Sequence, residues 1–244
     1  MKIVISGTYS TGKTTTALAF SLLSEIPALH ARTMREILPA TFQGKRLEKC
    51  DFHELIELGM RRLTERMVCE QGMDSFVSDG CPLQEWIYGT TRIITGLNLS
   101  EKPWKNKLDK LIRSTKWNVF EETLNGFGSI AKEYTKKHYD KIIHLPVEFP
   151  FDPDGHRPTS ESFREKSEIL LKKTYAELDL EVFETTGSLE NRLTKIISFL
   201  GINPVMPVEE AIMKAKKIKQ EKFDKIKIET ESEKKSSHIL KIPF

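Results

Sequence analysis

The chain has 244 residues, 39% hydrophobic and 30% charged, with a formal net charge of +3. That length suits one α/β domain of ordinary size with a sizeable core, and the even spread of aromatic and branched residues excludes a disordered or collagen-like chain. No apolar run reaches the roughly 18–20 residues that cross a bilayer, and Met1-Lys2-Ile3-Val4-Ile5-Ser6-Gly7 turns glycine-rich before a signal-peptide core can form, so a cytoplasmic protein without a membrane partner is expected.

In chain order, Lys2–Ser6 is an apolar run that predicts a strand, and residues 14–23 predict a helix with Leu18, Leu22 and Leu23 at helical spacing. Residues 28–31, after Pro27, predict a second strand. Phe52–Glu70 reads as an amphipathic helix, with acids and arginines between Phe52, Leu55, Ile56, Leu58, Leu63 and Met67. Phe76–Asp79 predicts a third strand, stopped by Gly80 and Pro82. Residues 104–139 are helical in period, interrupted at Gly126 and Gly128. Residues 141–145 and 180–186 predict the fourth and fifth strands, with helices at 163–178 and 188–200. Short apolar strands alternating with helices imply a parallel sheet covered on both faces.

Asn203-Pro204 and Met206-Pro207 break the last of these helices. From residue 208 to 244 there are ten Lys, no Arg and seven Asp plus Glu, so this stretch carries the whole charge excess. The chain divides into a domain over 1–207 and a lysine-rich, solvated appendage over 208–244. Within the appendage a helix is expected at 208–223. The alternation around Ile226, Ile228, Ile239 and Ile242 then gives a terminal β-hairpin, with disorder as the alternative. The balanced charge of residues 1–207 argues against a nucleic-acid groove, so no DNA partner is expected. Cys50, Cys69 and Cys81 are odd in number and lack Cys-x-x-Cys spacing, which predicts reduced thiols. No His-Glu-x-x-His pair offers a metal site from protein ligands alone.

Gly7-Thr8-Tyr9-Ser10-Thr11-Gly12-Lys13-Thr14 matches G-x-x-x-x-G-K-[S/T], the Walker A phosphate loop, in full. It lies between a predicted strand and a predicted helix, as its mechanism requires. Consecutive N–H groups of such a loop point inward as an anion nest, and the following helix adds its positive end. Gly7, Ser10, Thr11, Gly12, Lys13, Thr14 and Thr15 are therefore the expected ATP-binding residues. Lys13 reaches the β- and γ-phosphates, and the Thr14 hydroxyl ligates Mg²⁺.

Asp79 ends a strand at the carboxyl edge of the sheet, where open α/β folds bind ligands. Two roles stay open for it: holding Mg²⁺ through water, or accepting the proton of an acceptor hydroxyl. No second acid follows, so the Asp-Glu pair of energy-transducing ATPases is missing. Arg157, in Asp154-Gly155-His156-Arg157, and Arg164 lie between the fourth and fifth strands. There a segment of about 150–165 can act as a lid that brings guanidinium groups over the phosphates.

Together these stretches resemble P-loop kinases of the nicotinamide-riboside kinase type, as in NadR-like proteins, and the wider NadR-like AAA-domain ATP-binding family. The resemblance rests on residues 7–14, Arg35-Glu36, Asp79-Gly80 with Leu83 and Tyr88, Asp154 to Arg157 with Arg164, and the stretch Thr186-Gly187-Ser188-Leu189-Glu190-Asn191-Arg192. It implies a nucleoside-monophosphate-kinase-like fold of five parallel strands with helices on both faces and a lid. It also implies ATP with Mg²⁺ as donor and a small hydroxyl-bearing acceptor. By the same resemblance, Asp79 is the acceptor-side or magnesium acid, Arg157 and Arg164 are the lid arginines, Arg35 and Glu36 line the acceptor pocket, and Gly187 and Ser188 face the adenine. Two positions depart from the family's habit, both on the acceptor side: Arg32, where an acid is common, and Gly80, where Arg or Thr is common. The 104–139 insert, with Trp104, Trp117, Phe120, Phe127 and Tyr134, offers either a different acceptor wall or an ordinary amphipathic helical hairpin.

Two functions follow. The first is a small-molecule kinase, monomeric or homodimeric, that transfers the γ-phosphate of ATP to a hydroxyl of a nucleoside-like or other small metabolite. The alternative is a nucleotide-dependent ATPase or switch that regulates a protein partner.

Overall fold

The computed structural model describes residues 1–95, 114–149 and 161–239. Strands β1 (Lys2–Ser6), β2 (Ala28–Leu29), β3 (Phe76–Asp79), β4 (Lys141–His144) and β5 (Val182–Glu184) form one parallel sheet in the order β2-β3-β1-β4-β5. The helices are α1 (Lys13–Ser24), α2 (Met34–Thr41), α3 (Phe52–Glu70), α4 (Pro82–Thr95), α5 (Ser114–His138), α6 (Glu161–Glu177), α7 (Leu189–Leu200) and α8 (Val208–Ile239). The expected five-stranded parallel α/β fold is the one formed.

Strand alternation sorts the core into two layers. Ile3 and Ile5 of β1, with Val77 and Ile143, pack against α1, α7 and α8 through Phe20, Leu23, Leu193 and Ile196. Val4, Phe76 and Ile142 point the other way, onto Leu83 and Ile87 of α4, Ala131 of α5, and Leu171 and Tyr175 of α6. β1 is fully enclosed from Ile3 onward, so the loop that follows it emerges at the middle of the sheet's carboxyl edge.

Two helices were not anticipated, although each carries a start signal. Thr33 and Glu36 form a reciprocal capping box at the head of α2, and Pro82 occupies the first position of α4, where a missing N–H costs nothing. Of the residues expected as a terminal hairpin, those up to Ile239 instead continue α8, a single helix from Val208 to Ile239, and Ile242 lies outside the described residues. Neither glycine nor proline occurs between Pro207 and Pro243, so nothing in that stretch stops a helix once Pro207 has opened it. Nor is its beginning a solvated appendage, because Ala211 and Ala215 are fully buried in the α1 layer.

Gly126 and Gly128 do not interrupt α5, which runs through both. Gly128 is a contact point: a Cβ there would lie 2.4 Å from Trp86 Nε1 of α4, whereas one at Gly126 would meet nothing within 4 Å. Trp117, Phe120 and Leu124 of the same helix bury themselves against Phe52 of α3. These aromatics make an interhelical core rather than an acceptor wall; Trp104 lies outside the described residues. Cys50 and Cys81 are buried, Cys69 is exposed, and all three are free. Among the described residues no helix is long and apolar enough to cross a membrane.

The two glycines of α5 separate packing from propensity. Gly128→Ala should destabilise the protein by about 1–3 kcal/mol through overpacking against Trp86. Gly126→Ala should stabilise it by about 0.5–1 kcal/mol, as alanine does in an exposed helix interior. Urea unfolding of the two variants checks both signs.

Candidate active site

The loop between β1 and α1 takes backbone conformations that its glycines make accessible. Gly7 has φ 141° and Gly12, the residue before α1, has φ 93°; Ser10 adopts φ 62°. Gly7 also has no room for a side chain, since a Cβ would stand 2.4 Å from the Leu145 carbonyl oxygen and 2.7 Å from Thr11 Oγ1. The loop is braced from within by Thr11 Oγ1 donating to the Thr8 carbonyl at 2.9 Å. From outside, Arg192 of α7 donates to the Thr11 carbonyl at 2.7 Å. Lys13 Nζ turns back onto the Thr8 carbonyl at 2.5 Å, which holds its charge inside the loop.

Parallel pairing sets Asp79 opposite Ile5, one residue short of the end of β1, and so beside this loop. Thr14 Oγ1 donates to Asp79 Oδ2 at 2.7 Å, and His30 Nδ1 lies 2.9 Å from the same oxygen. The far ring nitrogen of His30 is 3.7 Å from Glu36 Oε2. Burial alone would raise the Asp79 carboxyl, but the His30 hydrogen bond and charge, then Lys13 and Thr14, hold it well below the usual carboxylate range. Glu36 is brought down to about 2 by His30 and the Thr33 cap, against the opposing effect of burial. Burial lowers His30, yet Asp79 and Glu36 outweigh it and raise the imidazole above its ordinary value. Asp79 and Glu36 thus favour the charged form of the His30 ring that lies between them at the mouth of the phosphate loop. The Thr14 hydroxyl and Asp79 carboxylate present two hard oxygens side by side, a donor set that fits Mg²⁺.

A second tier fixes these groups. Arg66 of α3 is 1% exposed and donates to Ser78 Oγ at 2.7 Å, the Gly80 carbonyl at 2.8 Å and the Asp79 carbonyl at 3.3 Å. Gly80, with φ 87°, leaves space that Gln84 fills; a Cβ there would be 2.8 Å from Gln84 Oε1. This packing accounts for glycine directly after Asp79. Gln84 Nε2 donates to Ser6 Oγ at 2.9 Å and to the Gly7 carbonyl at 3.0 Å, tying α4 to the root of the loop. Ser6 in turn meets the buried Tyr175 hydroxyl at 2.5 Å.

The remaining sequence candidates are distributed around this centre. Arg35 is half-buried on α2, next to Glu36. The Gly187 amide donates to Glu148 Oε1 at 2.8 Å, and Glu148 also pairs with Arg192. Ser188 caps α7 by accepting from the Asn191 amide at 3.2 Å, and Thr15 faces a recess beside α1. Arg164 is 2% exposed, its guanidinium held by the Phe149 carbonyl at 2.6 Å and by Glu161 at 3.0 Å. Arg157 lies outside the described residues. Tyr9 of the loop stacks with Phe163 at 6.2 Å, and Tyr88 of α4 lies 5.9 Å from the same ring. His30, Gln84 and Arg66 were missed from the sequence. His30 follows β2 much as Asp79 closes β3, so the carboxyl-edge rule that picked Asp79 applies to it too.

A family model described as an AAA domain matches residues 2–192, and the chain belongs to that family, AAA_28. No curated protein matches the sequence. Among solved structures, the fold is similar to a deoxyadenosine kinase from M. mycoides with the products dCMP and a flexible dCDP bound (TM-score 0.55, 14% identity, 82% of this chain and 99% of that one). It is similar as well to the M. mycoides deoxyadenosine kinase with bound dCTP (TM-score 0.53, 15% identity, 82% and 99%). The fold is thus the one that those nucleoside kinases use.

The charge cluster gives a signed pH dependence. Because His30 is raised in the folded state, its stabilisation is complete below about pH 6.5 and is lost as pH rises through the raised value. Glu36, lowered from 4.5 to about 2, contributes above its unfolded value and loses that contribution as pH falls toward 2. The melting temperature of His30→Asn should therefore lie furthest below that of the unsubstituted protein in mildly acidic buffer, and the gap should close on going alkaline. A gap that widens with rising pH would contradict the assignment.

Proposed function

We propose that this AAA-family chain is an ATP-dependent kinase that transfers the γ-phosphate to a hydroxyl of a nucleoside-like or other small metabolite. Arg32 and Gly80, which depart from the nicotinamide-riboside kinase pattern on the acceptor side, argue against nicotinamide riboside itself as that acceptor. The observation that carries the reading is the Asp79 carboxylate at the strand end, 2.7 Å from the phosphate-loop hydroxyl of Thr14. In this reading the loop amides and Lys13 hold the β- and γ-phosphates, with Lys13 leaving the Thr8 carbonyl to do so. Mg²⁺, held by Thr14 and Asp79, supplies neutralisation of the charge on the β- and γ-phosphate oxygens. The acceptor hydroxyl oxygen forms its bond to phosphorus as the bond to the β-phosphate oxygen breaks; ADP leaves, and the hydroxyl proton passes to a transferred phosphate oxygen and on to water.

A carboxylate so strongly depressed is a weak base at neutral pH, which favours the metal-side role of Asp79 over proton abstraction. Arg35 and Glu36 face the acceptor, and the half-buried rings of Tyr9 and Tyr88 suit a flat one. Gly187 and Ser188 lie toward the adenine. The lid and its Arg157 rest on the sequence resemblance, and Arg164 braces the end of the preceding segment through the Phe149 carbonyl.

Incubation with γ-labelled ATP, magnesium and a panel of nucleosides, sugars and hydroxylated metabolites should label one acceptor class. Label released only as free phosphate, and stimulated by a protein partner, would replace this reading with the ATPase or switch. Lys13→Ala should weaken ATP binding and cut transfer by about 100-fold or more. Asp79→Asn should leave ATP binding largely intact while abolishing transfer; the reverse pattern would refute its role.

A further inference from the structure

We propose, building on the donor-nucleotide reading given above, that α8 forms one wall of the nucleotide site and that Lys216 and Lys219 bind the α-phosphate and nucleoside end of the donor. An open recess of about 450 Å³ lies beside the phosphate loop, within the size range of small-molecule sites. Its floor is Gly12 of the loop, Thr15 of α1 and Arg192 of α7, and its outer wall is Lys216, Lys219 and Gln220 of α8. Gly12 and Thr15 belong to the loop and first helical turn assigned to the polyphosphate, so the recess continues that site rather than standing apart from it.

Its chemistry matches the part of the donor that the loop leaves over. Three cationic side chains meet there, and among the described residues that line it none is acidic. Arg192 is 5% exposed and anchored by the Thr11 carbonyl and Glu148, so its guanidinium is a fixed part of the recess floor. The volume exceeds what one phosphate fills and accommodates a nucleoside as well.

The register of α8 aims Lys219, and Lys216 lies one turn before it at the edge of the same recess. Ala211 and Ala215 pack into the α1 layer, and the next position on that i, i+4 line is Lys219. The face that is apolar along α1 therefore turns cationic where it reaches the head of that helix. The family match ends at residue 192, so these lysines lie outside the matched region.

Calorimetric titration of the full chain with ATP and with inorganic pyrophosphate tests the assignment. Lys216 is exposed and Lys219 half-exposed, so Lys216→Ala/Lys219→Ala leaves the core untouched, and an unchanged melting temperature checks that it does. The double variant should bind ATP about tenfold more weakly, the loss expected for charge-assisted hydrogen bonds. Its pyrophosphate affinity should stay within about twofold of the original, since that ligand fills only the β and γ positions. Unchanged ATP affinity would overturn the proposal. So would an equal loss for both ligands, which would mark a general field effect, and so would a second ATP per chain lost in the variant, which would mark a separate site. Lys13→Ala distinguishes the underlying reading: if it leaves both ligands bound as before, the phosphate loop is not the nucleotide site at all.

Discussion

The Arg66 guanidinium, out of reach of solvent, grips the end of β3 through Ser78, Asp79 and Gly80. A buried charge is tolerable only when it is paired and its donors are satisfied. Here Glu70 and Glu85, also buried, lie 3.7 and 3.4 Å away. Glu70 in turn accepts from Ser78 at 2.6 Å and from the hydroxyls of Tyr134 and Tyr139. One network therefore joins α3, β3, α4 and α5 beneath the strand end. It leaves the Asp79 carboxylate facing forward on a backbone that cannot shift without stranding a charge. On the other side Gln84 binds Ser6 and Gly7, so the ends of β1 and β3 are held at a fixed spacing.

In front of that scaffold the charged groups of the candidate site neutralise one another. Lys13 rests on a loop carbonyl, Thr14 donates to Asp79, and His30 lies between Asp79 and Glu36. Lys222 of α8 closes the series, 3.9 Å from Glu36. Each of these interactions is with a small polar group that a phosphate or a hydrated cation can replace. Preorganisation of this kind keeps the charges in position without a ligand and lowers the reorganisation required when one arrives.

What the sequence made legible follows from how local each signal is. The phosphate loop is a contiguous motif whose glycines are dictated by backbone angles and by the Leu145 carbonyl, so it could be read residue by residue. Asp79 was legible because strand period and a following Gly-Cys-Pro mark an edge. The two core layers were foreshadowed by short apolar strands. Arg66 was not legible: in a 19-residue helix with arginines at 61, 62 and 66, nothing local distinguishes the buried one from the two beside it. Trp117 and Phe120 looked equally suited to a ligand wall or to a core, and only the position of Phe52 on α3 decides for the core. The hairpin expected near the carboxyl end arose from reading isoleucine alternation without weighing the absence of any helix breaker.

The carboxyl-terminal helix shows why composition misleads over a long element. Summed over residues 208–244, lysines and glutamates read as a solvated face, because two alanines contribute almost nothing to a hydropathy average. Yet alanine is the side chain that lets two helix axes approach closely, and Ala211 and Ala215 lie four residues apart on the line that meets α1. Val208 and Ile212 flank the two alanines on the same core, but the close approach itself depends on small size, which a hydropathy average does not register. Once α8 is seated there, helical geometry alone carries Lys219 to the head of α1, and the same helix brings Lys222 to α2. One element outside the family's matched region thereby borders both the loop that grips phosphate and the helix that bears Arg35 and Glu36.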